Sequence, residues 1–177
     1  MSATDTNAPT LPADNLARKL TFSDPEHDKN LVHIGVVGDT YTITVTGEDT
    51  AGRFCVVDMH VPPGGGPPPH RHDFEETFIV TAGEIEATFR GEHKTVKAGQ
   101  TINIPANSPH QFTNASNQPA RLICICAPAG IEEFFRLVGV PVATRTTPPP
   151  KPTPEQMEEM KRKLAELAPR FRTEILA

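Results

Sequence analysis

The sequence predicts an all-β domain that is followed by C-terminal helices. Many short segments rich in β-branched and aromatic residues are separated by turns with glycine or proline, which is typical of a sandwich or barrel. From Leu31 to Pro128 no segment has helical periodicity, whereas two segments after Pro128 do. A hydrophobic content of 37% in 177 residues suits one globular core with tails.

Changes in composition along the chain predict five segments. They are a flexible N-terminal arm at 1–28, a β-barrel at 29–128, a short packing helix at 129–140, a proline-rich linker at 141–153 and a C-terminal helix at 154–177. The arm has little apolar periodicity. The linker has a run of prolines that favours a stiff, extended chain.

Alternation of apolar residues predicts which side of each strand faces the core. In FCVVDMHV, we expect Cys55, Val57, Met59 and Val61 to point inward, and in EIEATFR we expect Ile85, Ala87 and Phe89 to do so. In GIEEFFRLVG the apolar residues recur with a period near 3.6, which predicts a short amphipathic helix. This helix is expected to pack on the barrel, although a role in closing its mouth is open. Thr153-Pro154-Glu155-Gln156 has the pattern of a helix start with a capping box.

Two stretches contain candidate metal ligands. The first holds His70, His72 and Glu76 at even-numbered positions, so one extended segment would direct all three side chains to the same face. The second stretch, GQTINIPANSPHQFTN, adds His110. Neutral imidazoles and a carboxylate suit one divalent transition-metal ion, namely Fe, Mn, Ni, Co, Cu or Zn. Four ligands on an octahedral ion leave two positions open, which favours a catalytic over a structural site.

The spacing of these residues resembles the two sequence motifs of the cupin superfamily. The first motif is matched at every position by Gly64, His70, His72, Glu76 and Gly83. The second motif is matched by Gly99, Pro105, His110 and Asn114. One position departs, because Asn107 stands where glycine is usual; asparagine tolerates the left-handed conformation better than most residues.

The resemblance covers roughly residues 31–128 and implies a single cupin jelly-roll barrel, or double-stranded β-helix. It also implies that the metal ligands are His70, His72, Glu76 and His110, and that Asn114 is structural. His27, His33, His60 and His93 match no motif position and are expected at the surface.

The superfamily includes dioxygenases, isomerases, decarboxylases, lyases and binding proteins, so the resemblance does not fix the reaction. The chain further resembles bacterial single-domain cupins of the quercetin 2,3-dioxygenase-like group. This resemblance implies a dioxygenase that opens a flavonol or a similar enolisable aromatic or diketone, with Glu76 as the catalytic base. The alternatives are a non-oxidative isomerase, decarboxylase or lyase, and a small-molecule-binding protein without turnover.

The predicted substrate pocket is apolar and suits a flat aromatic small molecule. Its predicted wall consists of Met59, Phe78, Ile85, Phe89, Ile104 and Phe112. No basic cluster occurs among the inward positions, which disfavours sugar phosphates and oxalate as substrates.

Charge and composition limit the other partners. A formal net charge of -5 disfavours nucleic acid, whose phosphates need a basic surface. The sequence shows neither an apolar run long enough for a bilayer nor a secretory signal, so we expect a cytoplasmic protein without a membrane partner. A homodimer is expected, since cupins commonly pair through sheet edges and swapped arms.

The three cysteines are an odd number and include no CxxC pair. Cys124 and Cys126 alternate in RLICICA and should share one face of a strand. We interpret Cys55, Cys124 and Cys126 as buried, reduced thiols, since a redox or zinc role would need a closer cluster than the sequence shows.

Overall fold

The computed structural model describes residues 10–176, so residues 1–9 of the predicted arm, as well as Ala177, lie outside the described residues. Within that range twelve strands form two antiparallel sheets. In chain order the strands are β1 (His33–Val36), β2 (Asp39–Val45), β3 (Cys55–Val61), β4 (His70–His72), β5 (Glu75–Ala82), β6 (Glu84–Phe89), β7 (Glu92–Lys97), β8 (Thr101–Ile104), β9 (His110–Thr113), β10 (Ala120–Ala127), β11 (Val140–Val142) and β12 (Thr173–Ile175).

The larger sheet has the strand order β11-β1-β2-β3-β10-β5-β8, and the smaller sheet has the order β12-β4-β9-β6-β7. The helices are α1 (Gly47–Thr50), α2 (Ile131–Val138) and α3 (Pro154–Leu167), and a 3-10 turn follows at Ala168–Phe171. The described helices are all too short or too polar to cross a bilayer.

The core lies between the sheets and is formed by the inward faces that alternation predicts. Along β10 every second side chain, from Ala120 to Cys126, is buried. On β3 the inward set Cys55, Val57, Met59 and Val61 is also buried, as predicted. Asp58 points the other way and is nevertheless buried, because the guanidinium of Arg121 on β10 covers it and donates hydrogen bonds to both carboxylate oxygens at 2.5–3.2 Å.

Helix α2 packs between the larger sheet and the C-terminal segment. The ring of Phe135 meets Tyr41 of β2 edge-on, with centroids 5.0 Å apart. The adjacent Phe134 lies 5.6 Å from the ring of Phe171 in the 3-10 turn. The two aromatic residues of α2 therefore bridge the sheet and the end of the chain, which is the packing that its amphipathic pattern predicts.

The C-terminal segment contains more than the single helix that its sequence predicts. The capping box at Thr153 is present, but α3 ends at Leu167. Pro169 has no backbone N–H to continue the helix, and Arg172 adopts a left-handed φ of 58°. The chain then forms β12, which pairs antiparallel with β4 over three residue pairs.

The loop before β4 requires glycine for close packing. Gly66 has a φ of 130°, and a Cβ atom there would lie 2.1 Å from the carbonyl oxygen of Phe112. Gly64 donates a backbone hydrogen bond to the carbonyl of Asn114, and the side chain of Asn114 donates to the carbonyl of Val61. These contacts agree with the structural role expected for Asn114.

A buried carboxyl group lies under the same loop. Asp39 is fully buried, and its Oδ1 atom packs against Gly65 without a hydrogen-bond partner among the described residues. Burial raises the pKa of Asp39 to about 7, against smaller opposing effects of the Gly66 amide and Tyr41. The folded chain therefore favours the protonated form of this side chain.

We predict that Asp39→Asn stabilises the protein at high pH. With a folded pKa of about 7 and an unfolded value of about 3.9, wild-type stability is largest below about pH 4 and is lost as the pH rises to about 7. The neutral amide avoids this loss, so urea unfolding should give a free energy higher by a few kcal/mol at pH 8 and by less at pH 5.

The matched control is Asp14→Asn, which changes an exposed carboxyl in the N-terminal arm. We expect it to leave the free energy of unfolding within about 0.5 kcal/mol of the wild type at both pH values. An Asp39→Asn effect of the same size at pH 5 and pH 8 would contradict the assignment.

Candidate metal centre

The two sheets bring the four predicted ligands together. His70 and His72 point to the same side of β4, and His110 on β9 is the direct cross-strand partner of His70. Glu76 belongs to β5 of the opposite sheet. The sequence predicts one extended segment for the first three ligands; instead, the chain bends at residues 73–74 and crosses between sheets, so the carboxylate approaches the imidazoles from across the core.

The side-chain atoms converge on one point. The Oε2 atom of Glu76 lies 3.1 Å from the Nε2 atom of His110 and 3.2 Å from that of His72. One potential ligand atom from each of the four residues lies within 4.8 Å of the others. His72, Glu76 and His110 are buried, and His70 is half-buried, so the site is most open on the side of His70.

Backbone carbonyl groups orient the three imidazoles. The Nδ1 atoms of His70, His72 and His110 each lie 2.9 Å from a carbonyl oxygen, namely that of Pro68, Phe74 and Ser108 respectively. Because a carbonyl only accepts hydrogen bonds, each Nδ1 must carry the proton. In the neutral form of each ring the lone pair is then at Nε2, which is the tautomer that a metal ligand needs.

The electrostatics of the site favour the forms that bind metal. Burial alone would raise the pKa of Glu76, but the hydrogen bonds with His110 and His72 outweigh it and hold that pKa below its usual range. Burial, assisted by the nearby His110, lowers the pKa of His70 to about 4. At neutral pH the carboxylate is thus ionised and the His70 ring is neutral.

The donor set fits a transition-metal ion. The Nε2 lone pairs of two neutral rings repel a carboxylate oxygen that faces them. A cation between these atoms, or a second proton on each ring, removes the repulsion. Ligand atoms about 2.1 Å from one ion lie about 3.0 Å apart in octahedral and about 3.4 Å apart in tetrahedral geometry. The separations of 3.1 and 3.2 Å fall in this range.

The predicted pocket residues belong to the hydrophobic core or pack against it. Met59, Phe78, Ile85, Ile104 and Phe112 are buried, and Phe89 is half-buried. The rings of Phe78 and Phe112 meet edge-on at 5.2 Å. Phe89 is the cross-strand partner of His110 and lies under the guanidinium of Arg90.

Sequence reasoning missed two wall residues from the end of the chain. Thr173 and Ile175 on β12 are the cross-strand partners of His72 and His70. Directly paired residues point to the same face of a sheet, so these two side chains flank the ligands. The short segment TEI gives no signal in the sequence that would identify this pairing.

Sequence reasoning also missed the groups on the far side of Glu76. Its Oε1 atom accepts a hydrogen bond from the thiol of Cys124 at 3.3 Å, and the thiol of Cys126 lies 3.8 Å away. The hydrogen bond with Cys126 lowers the pKa of Cys124, but burial and the charge of Glu76 raise it to about 12. The alternation in RLICICA was the available signal, but it does not show which residue the thiols face.

The other histidines lie away from the centre. His27 pairs with Asp24 and His93 with Glu86 on exposed surfaces. His33 and His60 are half-buried on the outer face of the larger sheet, where His33 contacts Thr42.

Comparison with known proteins identifies relatives over the β domain. The family described as "Cupin domain" matches residues 57–126. The chain is 28% identical over 109 residues to quercetin 2,3-dioxygenase of Bacillus subtilis, covering 61% of this chain and 32% of that enzyme. It is 31% identical over 94 residues to the polyketide synthase CurC of Streptomyces cyaneus, covering 51% of this chain and 60% of the relative.

Among solved structures, the polyketide cyclase RemF from Streptomyces resistomycificus is similar, with a TM-score of 0.51 and 25% identity over 60% of this chain and 80% of RemF. These likenesses and the two facing sheets confirm the predicted jelly-roll fold with C-terminal helices. The chain spans about a third of the length of the Bacillus subtilis enzyme and less than two thirds of CurC.

We predict that His110→Ala weakens metal binding at this centre and lowers the metal content of the purified protein. The untagged wild-type protein should contain about one equivalent of a transition metal by elemental analysis, and removing one of four ligands should lower the affinity by at least about tenfold. The control is His93→Ala, which removes an exposed histidine and should retain the metal. Equal metal content in the two variants would contradict the assignment.

Proposed function

Because the chain belongs to the cupin superfamily, we propose that it is a metal-dependent dioxygenase that opens a flavonol or a similar enolisable aromatic or diketone substrate. The observation that carries this proposal is the convergence of three oriented imidazoles and one carboxylate in an apolar site. The likeness to a quercetin 2,3-dioxygenase supports the choice of reaction.

His70, His72, Glu76 and His110 would hold one divalent ion, either Fe, Mn, Ni, Co, Cu or Zn. The bound ion would act as a Lewis acid that polarises a substrate oxygen, with two coordination positions left for exogenous ligands. The carbonyl groups at Nδ1 fix the ring orientations, so the imidazoles need no reorganisation when the substrate arrives.

Glu76 is the group best placed to take a proton from the substrate. Its Oε2 atom faces the centre, while its Oε1 atom is held by the Cys124 thiol. A carboxylate turned partly toward the substrate would accept the hydroxyl proton and leave the enolate on the open side near His70. Apolar neighbours such as Phe89 and Ile175 would pack on an aromatic ring there and exclude water.

A second candidate is a non-oxidative reaction, which the likeness to CurC and RemF supports. The same residues would stabilise an enolate in a cyclase, isomerase, decarboxylase or lyase, and no oxygen would be consumed. A small-molecule-binding protein without turnover is the remaining alternative. Both enzymatic candidates share an enolisable small-molecule substrate.

We also propose a cytoplasmic homodimer in which the N-terminal arm covers a second copy. Four large apolar residues of the arm, Leu11, Leu16, Leu20 and Phe22, are 81–95% exposed. The arm is fixed to its own domain at Arg18 and Thr21, which donate hydrogen bonds to Asp49, and at Ser23, which donates one to the carbonyl of Thr44. A second copy of this chain would bury these side chains and so stabilise the association.

Oxygen uptake tests the proposed reaction. Metal-loaded protein should consume oxygen with a flavonol or a 1,3-diketone, and Glu76→Gln should lower the rate at least about 100-fold, because the base is lost. The control is Glu75→Gln, which changes an exposed neighbour that contacts Asn103 and Ala106 and should keep the activity. Metal content is measured for each variant.

The same substrates under argon separate the candidates. Turnover without oxygen would support the non-oxidative reaction and contradict the dioxygenase. A small molecule that stays bound through purification, with no turnover in air or under argon, would support the alternative of a binding protein without turnover.

The dimer is tested by sedimentation. We predict that the triple variant Leu16→Ser, Leu20→Ser and Phe22→Ser shifts the protein toward monomer relative to the wild type, since it removes the exposed apolar surface of the arm. Leu137→Ser on α2, also exposed, is the control and should leave the distribution unchanged. A wild-type protein that is monomeric at all concentrations would contradict the proposal.

A further inference from the structure

The two cysteines of β10 form a cluster with Glu76. Cys124 and Cys126 both point into the core and are 0% exposed. Cys126 is the direct cross-strand partner of Glu76, since β10 and β5 are neighbours. The register of β10 against β5 therefore determines this cluster, because two alternate residues of β10 lie beside one residue of β5.

The three potential ligand atoms have the separations of a metal site. The Sγ atoms of Cys124 and Cys126 are 3.5 Å apart, and they lie 3.3 and 3.8 Å from Oε1 of Glu76. For bonds of the lengths that zinc makes, about 2.3 Å to sulfur and about 2.1 Å to oxygen, tetrahedral geometry gives about 3.8 Å between two sulfurs and about 3.6 Å between sulfur and oxygen. Each observed separation lies within about 0.3 Å of these values.

The carboxylate of Glu76 divides its two oxygens between different partners. Oε2 faces the imidazoles of His72 and His110, whereas the hydrogen-bond partners of Oε1 are thiols. A thiol is a weak hydrogen-bond donor, so a buried carboxylate oxygen gains more from a cation than from these S–H groups. Oε1 is therefore available to bind a second ion on the side away from the histidines.

We propose that Cys124, Cys126 and Oε1 of Glu76 form a second metal site, which takes a soft, thiophilic ion such as Cu(I) or Cd(II). Thiolates select soft ions, while the imidazole and carboxylate set next to it suits harder divalent ones. The two thiols each lose a proton to solvent as the two metal–sulfur bonds form. This site goes beyond the proposed dioxygenase and needs neither a substrate nor a metal at the histidines.

Cys55 lies outside the proposed site. It is the cross-strand partner of Cys126 on β3 and is equally buried, but it does not belong to the group of ligand atoms that converge on Glu76. Cys55 is thus a matched control: a third buried cysteine on the neighbouring strand that the proposed ion does not require.

Cadmium titration of the reduced full-length protein tests the proposal, with the near-ultraviolet sulfur-to-cadmium charge-transfer band as the readout. The wild type should bind about two equivalents and develop the band. His110→Ala should lose the equivalent at the histidines and keep the band. The double variant Cys124→Ser/Cys126→Ser should lose the band and keep the other equivalent, and Cys55→Ser should behave as the wild type.

Absence of the band in the wild type, its survival in the double serine variant, or its loss in Cys55→Ser would overturn the proposal. X-ray absorption of cadmium-loaded His110→Ala and wild-type protein gives a test that does not depend on the serine variants folding. Two sulfur neighbours per cadmium are expected in His110→Ala, and one on average in the wild type with both sites filled, whereas a shell of nitrogen and oxygen alone in His110→Ala would overturn the assignment. Neither measurement involves oxygen or substrate, so failure of the dioxygenase proposal leaves this result unaffected.

Discussion

The buried charge of Glu76 is the constraint on which the arrangement of the core depends. An ionised carboxylate removed from water is costly unless other groups compensate it. Here the compensation comes from both sheets. A cation held between Glu76 and the rings of His72 and His110, or a second proton on those rings, lies on one side of the carboxylate, and the Cys124 thiol lies on the other. The register of β10 against β5 must be correct for this purpose, since a slip by one residue would turn the thiols to the outside.

The ligand strand β4 depends on the end of the chain for its position. It has one residue pair with β9, between His70 and His110, but three with β12. Two exposed ion pairs, Arg71–Glu174 and Asp73–Arg172, also join these segments and contribute little individually. Most of the support comes from backbone pairing and from the packing of the 3-10 turn on α2. Local opening of the C-terminal segment would therefore release two of the imidazoles together.

Much of the fold and of the candidate metal centre could be predicted because both follow from local patterns. Alternation assigns the inward face of β3 and β10, and Asn107 adopts the left-handed φ of 67° that its motif position requires. Sequence could not show that Glu76 lies on a different sheet from His70 and His72, because a bend of two residues preserves the same parity as a continuous strand. Nor could it place β12 beside β4, since that pairing depends on tertiary contacts of a three-residue segment.

Because one carboxylate serves both clusters, ions at the two sites would not bind independently. A cation at Oε1 withdraws negative charge from Oε2, and the two cations repel each other at short distance in a buried site of low effective dielectric. Coupling of this kind is reciprocal in free energy, so a soft ion at the thiols would weaken the ion at the histidines by the same factor as the reverse. The thiols therefore connect the charge state of Glu76, and with it any proton transfer by that residue, to soft metal ions.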